Sequence, residues 1–391
     1  MAPLKLHYAL AYAVLGSYLP YLPVFLQDQG FDTVEIGWII SLQGFAVVIS
    51  PTLFTSLADR YQANRLLIGV CYCIGGAALW ALAGSENFVM AAIFFSIHAF
   101  GYTAMIPLLD GLTFYQSRQR ILQKQEPIEY ASIRIWGTIG FMIPAVGMFF
   151  LLYFTSLKSE AALYFSFLIA FLGWMFLLLL PKTDLPKSER HHPPYQFKKV
   201  FEVLRLSQIR TFIFCLFLYS MAIGSFYTFY SPYIIELGID AQWLGMISNI
   251  GVAVELVWMA FAQTLLLKLG MKRIILLGGI ALALRFGLLA TVPNLWIALG
   301  TQLLHGPIVL CLYLIPPMYL NSRASERIRS TVQGCYWMLC AGVARIVGSS
   351  LSGYVAVYHF RYVFLLAAIC SLIGTVYFLL FFHDEIKEKE S

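Results

Sequence analysis

Three residues set in long apolar runs carry most of the chemistry this sequence offers. Glu255 stands in "VELVWMAF" (254–261), Arg285 in "LRFGLLA" (284–290) and His305 in "LLHGPIVLCLY" (303–313). The set comprises a carboxylate, a donor-only cation and an imidazole able to titrate near neutrality. An arginine at the centre of a hydrocarbon-spanning helix costs ~2.5–3.5 kcal/mol on insertion scales, and such residues pair with one another or face a polar cavity. The expectation is that Arg285 faces Glu255, with His305 beside them. A carboxylate whose surroundings change can exchange a proton, so the same trio could couple protonation to another event. Arg345, Asp110 and Arg134 are further charges within apolar runs. Arg345 is placed to pair with Glu255 or to meet an anion.

The elements that must position these groups are membrane helices. Only 12% of the 391 residues are charged, and mean hydropathy is +0.76, far from a soluble domain at ~25% charged. Twelve apolar runs are long enough to cross a bilayer: 5–27, 36–58, 65–84, 88–115, 129–155, 161–181, 209–235, 242–267, 273–292, 294–320, 330–356 and 360–382. Glu255, Arg285 and His305 lie some 11 to 13 residues into theirs, ~16–20 Å at 1.5 Å per residue, which is mid-membrane. The first run lacks a cleavage pattern and is expected to be retained. With the N-terminus inside, 21 of the 26 Lys and Arg fall on inner loops and tails, two on outer loops (Lys158, Arg361) and three within spans. The positive-inside rule therefore places both termini in the cytoplasm. The membrane expected is the cell inner (plasma) membrane. The net charge of +6 reflects that topology and anionic lipid rather than nucleic acid.

All seven cysteines fall in apolar runs and are expected to pack, not to form a disulfide framework. No metal and no cofactor is expected. The His191–His192 pair lies in a basic, Pro-rich stretch and is taken as solvated. No nucleophile–base motif or metal cluster is present to support an enzyme reading.

The chain repeats itself. "GSYLPYLPVFLQDQGFDTVEIGWI" (16–39) aligns without gaps on "GSFYTFYSPYIIELGIDAQWLGMI" (224–247), so that Gly16/Gly224, Gly30/Gly238, Asp32/Asp240 and Gly37/Gly245 coincide. Asn87/Asn294 and His98/His305 follow at nearly the same offset. The expected architecture is all-α: residues 1–181 as a first six-helix bundle, 182–208 as a cytoplasmic linker, and 209–391 as a second bundle and short tail. Two parallel six-helix halves are the arrangement of the major facilitator fold, with the substrate site near the midplane.

Motifs strengthen that resemblance. "LADRYQANR" (57–65) resembles the major facilitator signature between helices two and three, and implies a gating role for Asp59, Arg60 and Arg65. The copy in the second half, "LLKLGMKR" (266–273), is degenerate. "IPLLDGLTFYQ" (106–116) with "EYASIRIWGTIGF" (129–141) resembles the helix-four/five signature of the phenylpropionate permease-like group, related to lactose permease and the nucleoside–proton symporters. In that likeness Glu255, Arg285 and His305 match a proton-coupling site, but Ile308 stands where lactose permease has its next acid. Glu255 becomes the candidate carrier and His305 its modulator. Asp110 and Arg134 match substrate-binding positions, or form an inner gate pair. Trp136, Tyr227, Tyr230, Asn249 and Arg345 complete the candidate substrate-binding set.

The function implied is proton-coupled uptake of a small organic solute by a monomer in lipid: an aromatic carboxylate, a sugar or a nucleoside. A drug/proton antiporter and a non-transporting membrane receptor are the rival readings.

Overall fold

The computed structural model describes residues 1–181, 197–325 and 328–383. Most of the linker, with His191 and His192, lies outside them, as do Arg327, Lys387 and Lys389.

The described residues form helices throughout, and twelve are long and apolar enough to cross a membrane. They are α1 (Ala2–Asp28), α2 (Thr33–Tyr61), α3 (Asn64–Ala83), α4 (Phe88–Leu122), α5 (Tyr130–Phe154), α6 (Ala161–Leu179), α7 (Ser207–Glu236), α8 (Ala241–Ala260), α9 (Ala262–Thr291), α10 (Leu295–Arg323), α11 (Thr331–Ala356) and α12 (Phe360–Phe381). A short helix, Phe197–Arg205, precedes α7. Large apolar side chains such as Phe154, Leu178 and Trp296 stand about three-quarters exposed. A soluble surface does not tolerate apolar exposure on this scale, whereas lipid requires it. The chain is a multi-pass membrane protein.

Local chemistry explains the helix ends. Asp32 caps α2 with a reciprocal box: its side chain accepts from the Glu35 amide at 2.8 Å, and the Asp32 amide donates to Glu35 Oε2 at 3.0 Å. Asn87 and Asn294 cap α4 and α10 from matching repeat positions. Gly30 and Gly238, also repeat partners, take the same left-handed backbone, with φ of 87° and 95°. The eighth and ninth apolar runs, 242–267 and 273–292, are divided where expected: the chain turns at Gly270 (φ 73°, ψ 164°), between them. Phe261 (φ −97°, ψ 2°) adds a local irregularity within the eighth run.

Packing divides the chain into two compact units, one holding α1–α6 with residues 239–249, the other holding the remainder of α7–α12. Four of the helix pairings recur in both units. In the first, α1 packs on α5 and α6, and α3 on α4 and α6; in the second, α7 packs on α11 and α12, and α9 on α10 and α12. The α1–α5 crossing places Gly16 on the Phe141 backbone and Gly140 on the Ala9 backbone. The α7–α11 crossing places Gly224 on Arg345 and Gly348 on Met221. Both pairs sit at the same offset in the repeat. A Cβ at Gly16, Gly140 or Gly348 would stand 2.1–2.4 Å from the facing backbone and hold the helices apart, whereas at Gly224 it would meet Arg345 at 3.5 Å, an ordinary contact; close-packed membrane helices use small residues for this reason.

Candidate functional site

Within the second unit, α7, α8, α9 and α10 converge on Arg285. Its side chain is fully buried (0% exposed). Nη2 donates to Gln302 Oε1 at 2.8 Å, and Nη1 lies 3.3 Å from His305 Nδ1. The guanidinium rests on the Phe226 ring, with Cζ 3.9 Å from the centroid, and lies 5.9 Å from that of Tyr230. On the far side of the imidazole, His305 Nε2 is 3.9 Å from Glu255 Oε2, and the Glu255 side chain is 32% exposed. The structure thus brings Glu255, Arg285 and His305 together, in an order the sequence did not suggest. The expected direct Arg285–Glu255 contact is replaced by a chain in which His305 stands between them. The spacing of Gln302 and His305 (i, i+3) puts both on one face of α10, so one helix supplies both of Arg285's acceptors.

The geometry dictates a tautomer. Arginine has only donors, so Nδ1 of His305 must accept. A neutral His305 then carries its proton on Nε2, on the side of Glu255. Protonating Nδ1 requires Arg285 to let go. His98, the repeat counterpart, is the reverse case: its Nδ1 lies 2.8 Å from the Gly75 carbonyl and must donate, a helix-to-helix tie.

Gly251 of α8 makes room for this cluster. A Cβ there would stand 2.9 Å from Gln302 Oε1 and 3.4 Å from the His305 ring. Gly251→Ala is expected to fold, because the Gln302 amide can swing aside, but to lose the bond to Arg285. A hydrogen bond to a charged group is worth ~1.5–3 kcal/mol. The expected result is a fall in thermal midpoint of a few degrees in detergent with markedly weaker transport. An unchanged midpoint and rate would show that Gln302 does not hold Arg285.

A second group of residues lies alongside. Tyr227 follows Phe226 on α7; Arg345 Cζ is 6.0 Å from its ring centroid. The Tyr227 hydroxyl lies within electrostatic reach of Glu255, Arg285 and Arg345, and Tyr313 within reach of Arg345 and Glu255. Tyr230 donates to the Ala298 carbonyl at 3.0 Å, fastening α7 to α10.

The helix that carries Tyr313 is irregular. Leu310–Leu314 of α10 and Met338–Val343 of α11 are π-helical turns. Pro316 and Pro317 follow the first, and neither has an N–H to give the carbonyls of the preceding turn. Tyr336 of α11 supplies the missing donor, bonding the Leu312 carbonyl at 2.9 Å. Tyr336→Phe would leave that buried carbonyl unpaired, at a cost of ~1–3 kcal/mol. A lower unfolding midpoint is expected in that variant, and an unaltered one would mean that Leu312 has another donor.

In the first unit, Asp110 accepts from the hydroxyls of Tyr8 and, at 2.9 Å, Tyr130. Arg134 lies within electrostatic range of Asp110, but its guanidinium sits on the Tyr12 ring, 4.3 Å from the centroid. Among the described residues, no hydrogen bond joins Asp110 to Arg134. Trp136 lies under Lys5 at 5.8 Å, and Asn249 Nδ2 donates to the Met142 carbonyl at 3.0 Å. Asp59 and Arg60 are exposed on the last turn of α2; Arg60 lies 5.4 Å from the Tyr61 ring centroid. Arg65, at the start of α3, reaches the Leu180 carbonyl at 3.4 Å.

Sequence reading passed over Gln302, Phe226, Tyr8 and Tyr130. The i, i+3 relation to His305 was the available signal for Gln302. The aromatic residues had none, in a chain that is 16% aromatic.

Twelve membrane-length helices in two internally repeated units, with Arg285 buried beside His305, define a membrane transporter. The chain belongs to the MFS_1 like family, whose model matches residues 1–366, and it is a transporter, not an enzyme. It is similar to the maltose permease of Geobacillus stearothermophilus, 26% identical over 381 residues, covering 96% of this chain and 93% of that protein. It is similar also to the nucleoside permease NupG of Escherichia coli, 22% identical and covering 90% and 86% of the two chains. A solved structure of a mutant form of NupG superposes with a TM-score of 0.87 at 20% identity, over 98% of this chain and 99% of that one.

Proposed function

We propose that this protein is a proton-coupled symporter that takes up a small organic solute, an aromatic carboxylate, a sugar or a nucleoside, by alternating access. It works as a monomer in the cell inner (plasma) membrane, with both termini cytoplasmic. Residues 1–181 and 209–391 are its two halves, joined by the linker 182–208. The observation that carries the reading is the buried chain Arg285–His305–Glu255. A purely structural ion pair does not require an imidazole between its charges. Here His305 can accept a second proton only when Arg285 releases Nδ1, and Glu255 is the carboxylate at its other nitrogen. Movement of Arg285 toward a solute therefore changes what His305 and Glu255 can hold. Glu255 is the carrier in this reading, and Arg285 with His305 sets when it loads.

Asp110, Arg134, Trp136, Tyr227, Tyr230, Asn249 and Arg345 form the solute-binding set. Asp59, Arg60 and Arg65 form the inner gate. The test of the whole is solute uptake by proteoliposomes with and without an imposed inward proton gradient, screened over benzoate, glucose and uridine. Uptake of none of these above protein-free vesicles, or uptake indifferent to the gradient, overturns the symport reading.

The gate carries its own prediction. Asp59→Asn removes charge from the inner α2–α3 turn and is expected to weaken closure, slowing uptake several-fold with solute affinity little changed. A cysteine introduced by Ala63→Cys reads closure from the inner side. Equal labelling of it with and without Asp59→Asn would exclude a gating role.

A further inference from the structure

The two π-helical turns meet at one cavity. Leu312 and Tyr313 reach it from the first turn, and Cys340 and Ala341 from the second. Its volume is about 50 Å³. At roughly 10–15 Å³ per water on this measure, it has room for about three to five waters, the bulk of a single six-membered ring. One wall is an aromatic stack. The rings of Tyr313 and Trp337 lie 20° from parallel with centroids 6.0 Å apart. Tyr227 and Arg345 also line the space. Tyr336 stands edge-on to Trp337 at 5.3 Å and spends its hydroxyl on the Leu312 carbonyl, so it presents the cavity with ring rather than donor.

π-turns are rare, and they recur at functional sites because the extra residue re-aims side chains that a regular helix would send elsewhere. Two of them on facing helices, both opening into the same aromatic cavity, point to a built site. We propose that this cavity is a subsite for one planar ring of the transported solute, stacked on Tyr313 and Trp337, with an oxygen on or beside that ring directed to the Arg345 guanidinium. An aromatic carboxylate and a pyrimidine nucleoside share that chemistry, whereas a hexose lacks the planar face. The assignment rests on the solute-transport reading and narrows it. It also places the solute next to the coupling chain. Tyr227 borders the cavity, and its neighbour Phe226 is the ring on which Arg285 rests.

The test is equilibrium binding to the purified full-length protein, with labelled benzoate, uridine and glucose as probes and no gradient present. The expected result is that benzoate or uridine binds, glucose does not, and the one that binds names the source of the ring. Trp337→Leu should weaken that binding at least tenfold, and Trp337→Phe, which keeps a ring, should restore most of it. Ala341→Phe, which fills the space from the other side, should abolish it while the protein still elutes as a single species. Binding of neither planar probe, binding indifferent to Trp337→Leu, or glucose binding with the same Trp337 dependence overturns the subsite. Planar-probe binding with these dependences, but uptake indifferent to a proton gradient, leaves the subsite standing and overturns the coupling reading alone.

Discussion

Glu255→Gln is expected to abolish proton-driven accumulation of solute while exchange of internal for external solute continues. Glutamine keeps the size of the side chain and can still meet His305 Nε2, 3.9 Å away in the wild type, but it cannot gain or lose a proton. If Glu255 is the carrier, its loss uncouples the two fluxes without closing the path for solute. The measurement is a paired one in proteoliposomes: uptake against a gradient with an imposed proton gradient, and counterflow with saturating internal solute. Loss of the first with the second within a few-fold of wild type is the expected pair. Accumulation that persists in the variant rules Glu255 out as carrier. Loss of both measurements would place Glu255 in the solute site itself.

The second large effect concerns Arg285. Its charge is held by two neutral acceptors, Gln302 and His305, and by the Phe226 face; the nearby carboxylate stands beyond the imidazole. Removing one member of a direct buried ion pair is strongly destabilising, at ~3–5 kcal/mol, whereas an uncharged acceptor left without its donor costs ~1–3 kcal/mol. Because the partners here are uncharged, Arg285→Met is expected to fold with a midpoint lowered by several degrees and to lose transport. Arg285→Lys keeps the charge but not the planar fork that reaches Gln302 and His305 together. Losing one of the two charge-assisted bonds, at ~1.5 kcal/mol, corresponds to ~10-fold in rate at 1.4 kcal/mol per tenfold. Uptake and thermal unfolding measured on the same preparations decide the matter. A collapse in stability for Arg285→Met makes the residue a structural support, and wild-type uptake in Arg285→Lys removes the case for a two-acceptor anchor.

The parts of this molecule that obey a period were readable in advance, and the parts that depend on a single exception were not. Spans and their number follow from hydropathy, because lipid leaves no other way to satisfy a backbone. The repeat was legible because Gly30/Gly238 and Asn87/Asn294 answer the same backbone demand twice. The meeting of Glu255, Arg285 and His305 followed from counting residues along their helices. Their order did not, because rotation about the helix axis is set by side chains such as Gln302 and by the room left at Gly251. The π-turns were invisible for a similar reason. Pro316 and Pro317 announce a fault in α10, but the donor that mends it, Tyr336, comes from another helix. Asp110 shows the same limit: its charge was plain, but its two tyrosine partners lie 102 and 20 residues away along the chain.

The paired glycine crossings bear on how the chain is made. Gly16 meets α5 and Gly224 meets α11, so each contact joins the first helix of a half to its fifth. A ribosome delivers α1 long before α5, and at ~5–20 residues per second the opening helix of each half must wait several seconds for the partner that packs its small-residue face. During that interval α1, and later α7, sits in the bilayer with the small-residue face around Gly16 or Gly224 open to any passing helix. The synthesis of each half is thus finished, in the sense of having a closed seam, only when its fifth helix has entered the membrane. Bulky substitutions at Gly140 or Gly348 would then show themselves first as nascent chains captured by chaperones or proteases, before any finished protein could be assayed.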